Sequence, residues 1–319
     1  MAVYTDVSDA ELAAFLAAYD LGAVTALKGI AEGVENTNFF LQTEAGNFIL
    51  TLYEKRVNEA DLPFFLALLE HVAASGLSCP RPVAMRNGAV TAPLAGRKAA
   101  IFTFLPGLSV KRPETIHCAQ VGAAMARLHL ATRNFGGTRA NALSLAGWRT
   151  LAGKIVARAD EISPGLSTLI SDGLADVAAK WPASLPQGVI HADLFPDNVL
   201  FFNGAVSGLI DFYFACNDFL AYDIAVALNA WCFEGDGSFN VTKARALVAA
   251  YQTLRPLEAS ELAALPVLCR GAALRFLMTR AHDFLNHDPA ALVRPKNPME
   301  YAAKLRFFRN VPDTHALGL

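Results

Sequence analysis

The sequence predicts an α+β chain, with a small β-rich part followed by a larger, mainly helical part. Three observations carry this. Residues 24–54 and 82–105 hold short runs of β-formers separated by turn residues. Beyond them the apolar periodicity is mostly helical. Pro106-Gly107 punctuates the chain between the two regimes. Strands first and helices afterwards is the order of an α+β architecture.

Composition narrows the class. The chain has 319 residues, 54% hydrophobic and only 18% charged, with a net charge of −2. Globular domains carry about 25% charged residues, so this chain is apolar. Yet its longest stretch free of Asp, Glu, Lys and Arg is 198–210, short of the roughly 20 apolar residues of a membrane span. The opening MAVYTDVSDAEL lacks the basic and apolar regions of a signal peptide. The expectation is a cytoplasmic protein with no membrane partner. Near-neutral charge leaves no electrostatic footprint for nucleic acid. Cys79, Cys118, Cys216, Cys232 and Cys269 are widely spaced and read as buried thiols rather than disulfides or zinc ligands.

The elements follow in order. Residues 24–30, 37–43 and 47–54 read as strands, with a tight hairpin at Glu44-Ala45-Gly46. Leu62, Phe65, Leu66 and Leu69 recur at helical spacing within a predicted helix over 58–75, closed by Gly76. Residues 82–85 and 89–94 flank Asn87-Gly88, a hairpin signal, and 97–105 form a last strand. Helices are predicted over 114–132, 144–162 and 165–181, and again over 220–233, 241–254, 260–286 and 298–310. Between these two groups lie three strand-like pieces at 188–190, 199–202 and 206–210. The predicted division is 1–105 and 106–319, with a small-molecule site in a cleft between the parts.

The chemistry concentrates in one segment. His191-Ala192-Asp193-Leu194-Phe195-Pro196-Asp197-Asn198 links two strand pieces, and Pro196 disfavours a regular strand there. Asp211 follows the apolar run ending at Ile210, again at a strand end. From Asn198 to Asp211 is strand, turn, strand, which returns both to one edge. Two carboxylates and an amide are oxygen donors of the kind that suits Mg²⁺ beside substrate phosphates.

His-x-Asp-x-x-x-x-Asn followed by Ile-Asp-Phe resembles the catalytic and metal loops of the protein-kinase-like phosphotransferases. The missing Arg after His191, and Pro196 two residues before Asn198, resemble the aminoglycoside phosphotransferase and choline kinase branch, which acts on small molecules. Residues 47–54, 102–107 and 195–201 are most similar to the homoserine kinases of that branch, and the resemblance covers nearly the whole chain. It implies a two-lobed protein-kinase-like fold: a small antiparallel sheet with one helix, and a larger helical lobe. It implies ATP and Mg²⁺ as cofactors and L-homoserine as the acceptor, on the route to threonine.

Roles follow from the resemblance position by position. Asp193 is the catalytic base; Asn198 and Asp211 hold Mg²⁺; His191 is structural. Gly33 and Asn36, within 33–38, belong to the loop covering the phosphates, whose N–H groups can meet phosphate oxygens. Thr103 and Leu105 offer backbone groups to adenine, and Ile49 roofs it. A homoserine site needs a cation for carboxylate and an anion for ammonium. Arg275 is the candidate for the first, with Arg280, five residues on and off that helix face, as the alternative, and Tyr213 and Asp218 are candidates lining the site.

One departure stands out. The third strand of these kinases carries a Lys or Arg for the phosphates, and Thr51 occupies that place. Lys55 lies four residues on, about 13 Å along an extended strand, and Lys28 is another candidate. Glu59 or Asp61 would be the partner acid of that missing cation. Thr51 is also the one feature favouring a nucleotide-binding protein without turnover, while another small alcohol (choline, methylthioribose, an aminoglycoside) is the alternative substrate class. Trp231 reads as core, Asp223 as structural, and Lys304, Arg306 and Arg309 as a solvated helix face.

Overall fold

The computed structural model describes residues 5–30, 36–54, 58–287 and 294–319. Two compact units emerge, Met1–Pro106 with Gly208–Tyr213, and Gly107–Ser207 with Phe214–Leu319.

The first unit opens with helix α1 (Asp9–Leu16), absent from the sequence-based expectation. Its signal was present in Ser8-Asp9-Ala10-Glu11. Ser8 caps the Glu11 N–H while Glu11 Oε2 accepts the Ser8 N–H at 3.0 Å, a capping box. Strands β1 (Val24–Gly29), β2 (Asn36–Thr43) and β3 (Gly46–Tyr53) follow as expected, and then α2 (Leu62–Ala74). The unit closes with β4 (Ala92–Leu94) and β5 (Arg97–Thr103), giving an antiparallel sheet in the order β1-β2-β3-β5-β4.

The hairpin expected at Asn87-Gly88 is only a turn, with Gly88 N–H donating to Met85 O at 2.9 Å. The paired hairpin closes one step later, at Ala95 and Gly96, whose φ values of 48° and 71° match the right-handed twist of their strands. Leu12, Phe15 and Leu16 of α1 cover Leu41, Leu50, Leu52 and Ile101 on one sheet face. Each such fully buried side chain contributes about 1.5–3 kcal/mol. Side chains alternate along a strand, so Ile49, Thr51 and Tyr53 face the other way.

The second unit is mainly helical. Its elements are α3 (Thr115–Ala131), α4 (Leu145–Ile155), α5 (Leu166–Lys180), β6 (Gln187–Ile190), β7 (Val199–Phe202) and β8 (Ala205–Leu209), whose last residues group with the first unit. Then come β9 (Cys216–Phe219), α6 (Leu220–Trp231), α7 (Val241–Leu254), α8 (Ala259–Leu285) and α9 (Met299–Arg309). Strand β9 escaped the sequence reading: four residues, two of them Asn217 and Asp218, carry no β signal. It pairs antiparallel with β6, Val189 opposite Asn217.

By length and composition α8 could cross a membrane, but 78% of its apolar window is buried inside the protein. It is a core helix. Trp231 and all five cysteines are buried as expected. Lys304 is not on a solvated face. It is 7% exposed, with Nζ donating to Asn229 O at 2.9 Å and Glu300 Oε1 at 2.7 Å. Its aliphatic stem satisfies the core while its head finds two oxygens. Arg306 and Arg309 are exposed.

Candidate active site

The loop between β6 and β7 is built from hydrogen bonds to its own backbone. Phe195 N–H donates to Asp193 O at 2.8 Å, and Asn198 N–H to Phe195 O at 2.9 Å in the helical turn Pro196–Asn198. Asn198 Nδ2 donates to Asp193 O at 2.7 Å and to Asp193 Oδ2 at 3.2 Å. Both bonds use the amide nitrogen, which leaves the amide oxygen as the group Asn198 can offer a cation. Trp231 Nε1 holds the loop from below, donating to Leu194 O at 2.7 Å.

His191 is fully buried, and its Nδ1 accepts the Asp193 N–H at 3.3 Å. Ala192 takes the left-handed conformation, φ 62°. For a residue with a Cβ this costs about 1–2 kcal/mol, so surrounding groups must impose it. Asp223, fully buried at the start of α6, is one of them: its carboxylate accepts the N–H of His191 at 2.9 Å and of Ala192 at 2.8 Å.

Behind Asp223 runs a buried relay that the sequence reading missed. His129 Nε2 lies 3.1 Å from Asp223 Oδ2 and Nδ1 lies 2.7 Å from Tyr251 Oη. Arg255 Nη1 donates to Tyr251 Oη at 3.2 Å and pairs with buried Glu261 at 3.0 Å. Read from Arg255, every donor finds an acceptor if His129 carries its proton on Nε2. Burial would raise the Asp223 carboxyl, but the hydrogen bond from His129 and the His191 N–H overcome it, leaving it below its ordinary 3.8. Only His129, a histidine inside an apolar helix, hinted at this from sequence.

Asp193 is half-buried. Burial pushes its carboxyl above the ordinary 3.8, against the opposing charges of Arg275, His191 and Lys296. Arg275 of α8 is 1% exposed, with Nη1 donating to Ala192 O. Asp218 on β9 accepts from Asn141 Nδ2 at 2.6 Å and from the Phe219 N–H at 2.7 Å. Burial raises its carboxyl as well. The second unit therefore brings His191, Asp193, Asn198 and Arg275 together. Arg280 pairs with Glu300 at 2.6 Å.

The remaining candidates lie in the first unit. Asp211, exposed, follows β8 with φ 63°. Its segment is tied to that unit by Leu209 N–H donating to Ser78 O at 3.0 Å. Tyr213 sits edge-on to Tyr53 and Phe65, with ring centroids 5.8 and 5.6 Å away. Ile49 pairs with Phe102, and Thr103, at the end of β5, pairs with Phe48. Leu105 is half-buried. Asn36 is 4% exposed and its Oδ1 accepts the Glu54 N–H at 3.4 Å, a bond internal to the sheet. Gly33 and Lys55 lie outside the described residues. Thr51 is buried and donates to Asn38 Oδ1 at 2.8 Å. Glu59 pairs with Lys98 at 3.1 Å.

The family profile described as phosphotransferase enzyme family (APH) matches residues 26–257. A homoserine kinase of Xanthobacter autotrophicus is 61% identical over 319 residues, covering 100% of this chain and 99% of the relative. One from Azorhizobium caulinodans is 60% identical with the same coverage. Among solved structures, a microcompartment-associated aminopropanol kinase superposes with a TM-score of 0.73 at 19% identity, covering 98% of this chain and 99% of its own. An amicoumacin kinase bound to AMP-PNP and Ca²⁺ gives 0.70 at 17%, covering 95% and 92%. At those identities the likeness speaks for the fold, a two-lobed protein-kinase-like one.

Proposed function

Because the chain belongs to the phosphotransferase enzyme family, and within it to the homoserine kinases, we propose that it transfers the γ-phosphoryl group of ATP to the side-chain hydroxyl of L-homoserine. The products are O-phospho-L-homoserine and ADP. The observation that carries the chemistry is the Asp193 carboxylate, half-buried and fixed by the Asn198 amide in a loop whose backbone is pinned by Asp223.

The hydroxyl oxygen attacks the γ-phosphorus in line. Its proton passes to an Asp193 carboxylate oxygen, and the bond from γ-phosphorus to the bridging oxygen breaks to release ADP. Burial raises the Asp193 carboxyl above its ordinary value, which makes the carboxylate a better proton acceptor. Asn198, through its amide oxygen, and Asp211, through its exposed carboxylate, are the proposed Mg²⁺ ligands, a hard oxygen set that fits the ion. Mg²⁺, when bound, neutralises charge on the phosphate oxygens. Ile49, Thr103 and Leu105 are the proposed adenine contacts, with Tyr213 and Asp218 proposed near the acceptor.

Incubation with ATP, Mg²⁺ and L-homoserine followed by ³¹P NMR tests the reading. A phosphomonoester resonance coupled to the homoserine γ-methylene protons is expected. Phosphate release alone, or phosphorylation of a different alcohol in preference, would overturn the substrate assignment.

A further inference from the structure

We propose that Arg275 is a positioning residue for phosphoryl transfer, which fixes the Ala192–Asp193 peptide from within the core and thereby aims the Asp193 carboxylate. This rests on the reading of Asp193 as the base. Arg275 is 1% exposed, and among the described residues no carboxylate lies within ion-pair distance of it. A guanidinium buried without a carboxylate in direct contact is costly and needs a reason to be kept. Its Nε is buried without a hydrogen-bond partner. The guanidinium carbon lies 5.4 Å from the Phe214 ring centroid and 4.5 Å from that of Phe276. The flanking rings hold its plane by cation–π attraction, and Nη1 donates to Ala192 O.

That carbonyl belongs to the peptide joining Ala192 to Asp193. The other side of Ala192 is taken by Asp223 Oδ1, which accepts its N–H at 2.8 Å. A residue in a left-handed conformation is thus held at both ends, N–H by an acid from α6 and C=O by a base from α8. The Asp193 side chain leaves the backbone two bonds beyond the clamped carbonyl carbon. If the carbonyl is released, rotation about the Ala192 ψ and Asp193 φ bonds swings the carboxylate. The competing role, a direct contact to the acceptor's carboxylate, demands an exposure that Arg275 does not have.

The test compares wild type, Arg275→Met and Arg275→Lys by steady-state kinetics, with hydrogen exchange of the 191–198 segment. Misplacing a reacting group by about 1 Å costs about 100-fold in rate. Arg275→Met should lose about that much kcat, with KM for homoserine and for ATP within about threefold of wild type. Exchange across 191–198 should rise while that of α3 and α7 stays unchanged. Arg275→Lys keeps the charge and a hydrogen-bond donor group and should recover part of kcat and of the protection, also supplying the answer if Arg275→Met does not fold. A tens-fold rise in the homoserine KM at retained kcat would overturn the proposal in favour of substrate contact. A lower melting temperature with normal kcat would overturn it in favour of mere packing. The exchange readout needs no acceptor, so it separates failure of this proposal from failure of the homoserine assignment, which the wild-type kinetics decide.

Discussion

The Asp223 carboxylate holds the Ala192 peptide N–H at 2.8 Å with one oxygen and the neighbouring His191 N–H at 2.9 Å with the other. A helix-start acid on α6 thereby dictates the backbone of a loop about thirty residues earlier in the chain. Asp223→Asn keeps the shape but must turn an NH₂ toward one of two N–H donors. Leaving a buried donor unsatisfied costs about 1–3 kcal/mol, so the melting temperature should fall and kcat with it. Unchanged stability by thermal denaturation would refute this anchoring.

The same contact sets an acid limit. The Asp223 carboxyl lies below its ordinary 3.8 in the fold. Its stabilising effect is therefore complete above the unfolded value and is lost as pH falls through the folded one. Melting temperature should drop more steeply below about pH 4 in wild type than in Asp223→Asn. Parallel pH curves for the two proteins would count against the assignment.

Asp193→Asn should fold normally, since Asp193 is half-buried and Asn198 retains the backbone bond to Asp193 O. Its kcat should fall by about 10²–10⁴-fold, the range for a positioned general base. Asn198→Ala should instead raise the Mg²⁺ concentration needed for half-maximal rate. Turnover by Asp193→Asn near the wild-type rate would exclude it as the base.

Gly122 is where α3 meets α7 closely: a Cβ there would fall inside the van der Waals shell of the Leu247 carbonyl. Gly122→Ala should destabilise the second unit by about 1–3 kcal/mol, although alanine favours helices. Denaturant unfolding measures it, and a neutral or stabilising result would show that the helices can separate freely.

Much of this was legible in the sequence, for physical reasons. Runs of β-formers marked β2 and β3, and helical periodicity marked α2 and α7, because burial on one face of a helix leaves a trace in the chain. Asp193, Asn198 and Asp211 stand out as candidates because polar residues interrupt apolar runs there. What escaped was short or carried by tertiary contact. Helix α1 spans only eight residues, and β9 is held by pairing with β6 rather than by propensity. Lys304 looked like a surface charge because periodicity cannot reveal that Asn229 O awaits it. For Arg275 the sequence shows the charge but not the burial beneath Ala192.

The most direct measurement is kcat/KM for ADP release across a panel of hydroxyl acceptors at fixed MgATP. Homoserine should exceed choline, methylthioribose and an aminoglycoside by at least tenfold, about 1.4 kcal/mol of transition-state preference. Preference for another alcohol would contradict the account at its substrate. ATP binding with no acceptor turned over would contradict it at its chemistry.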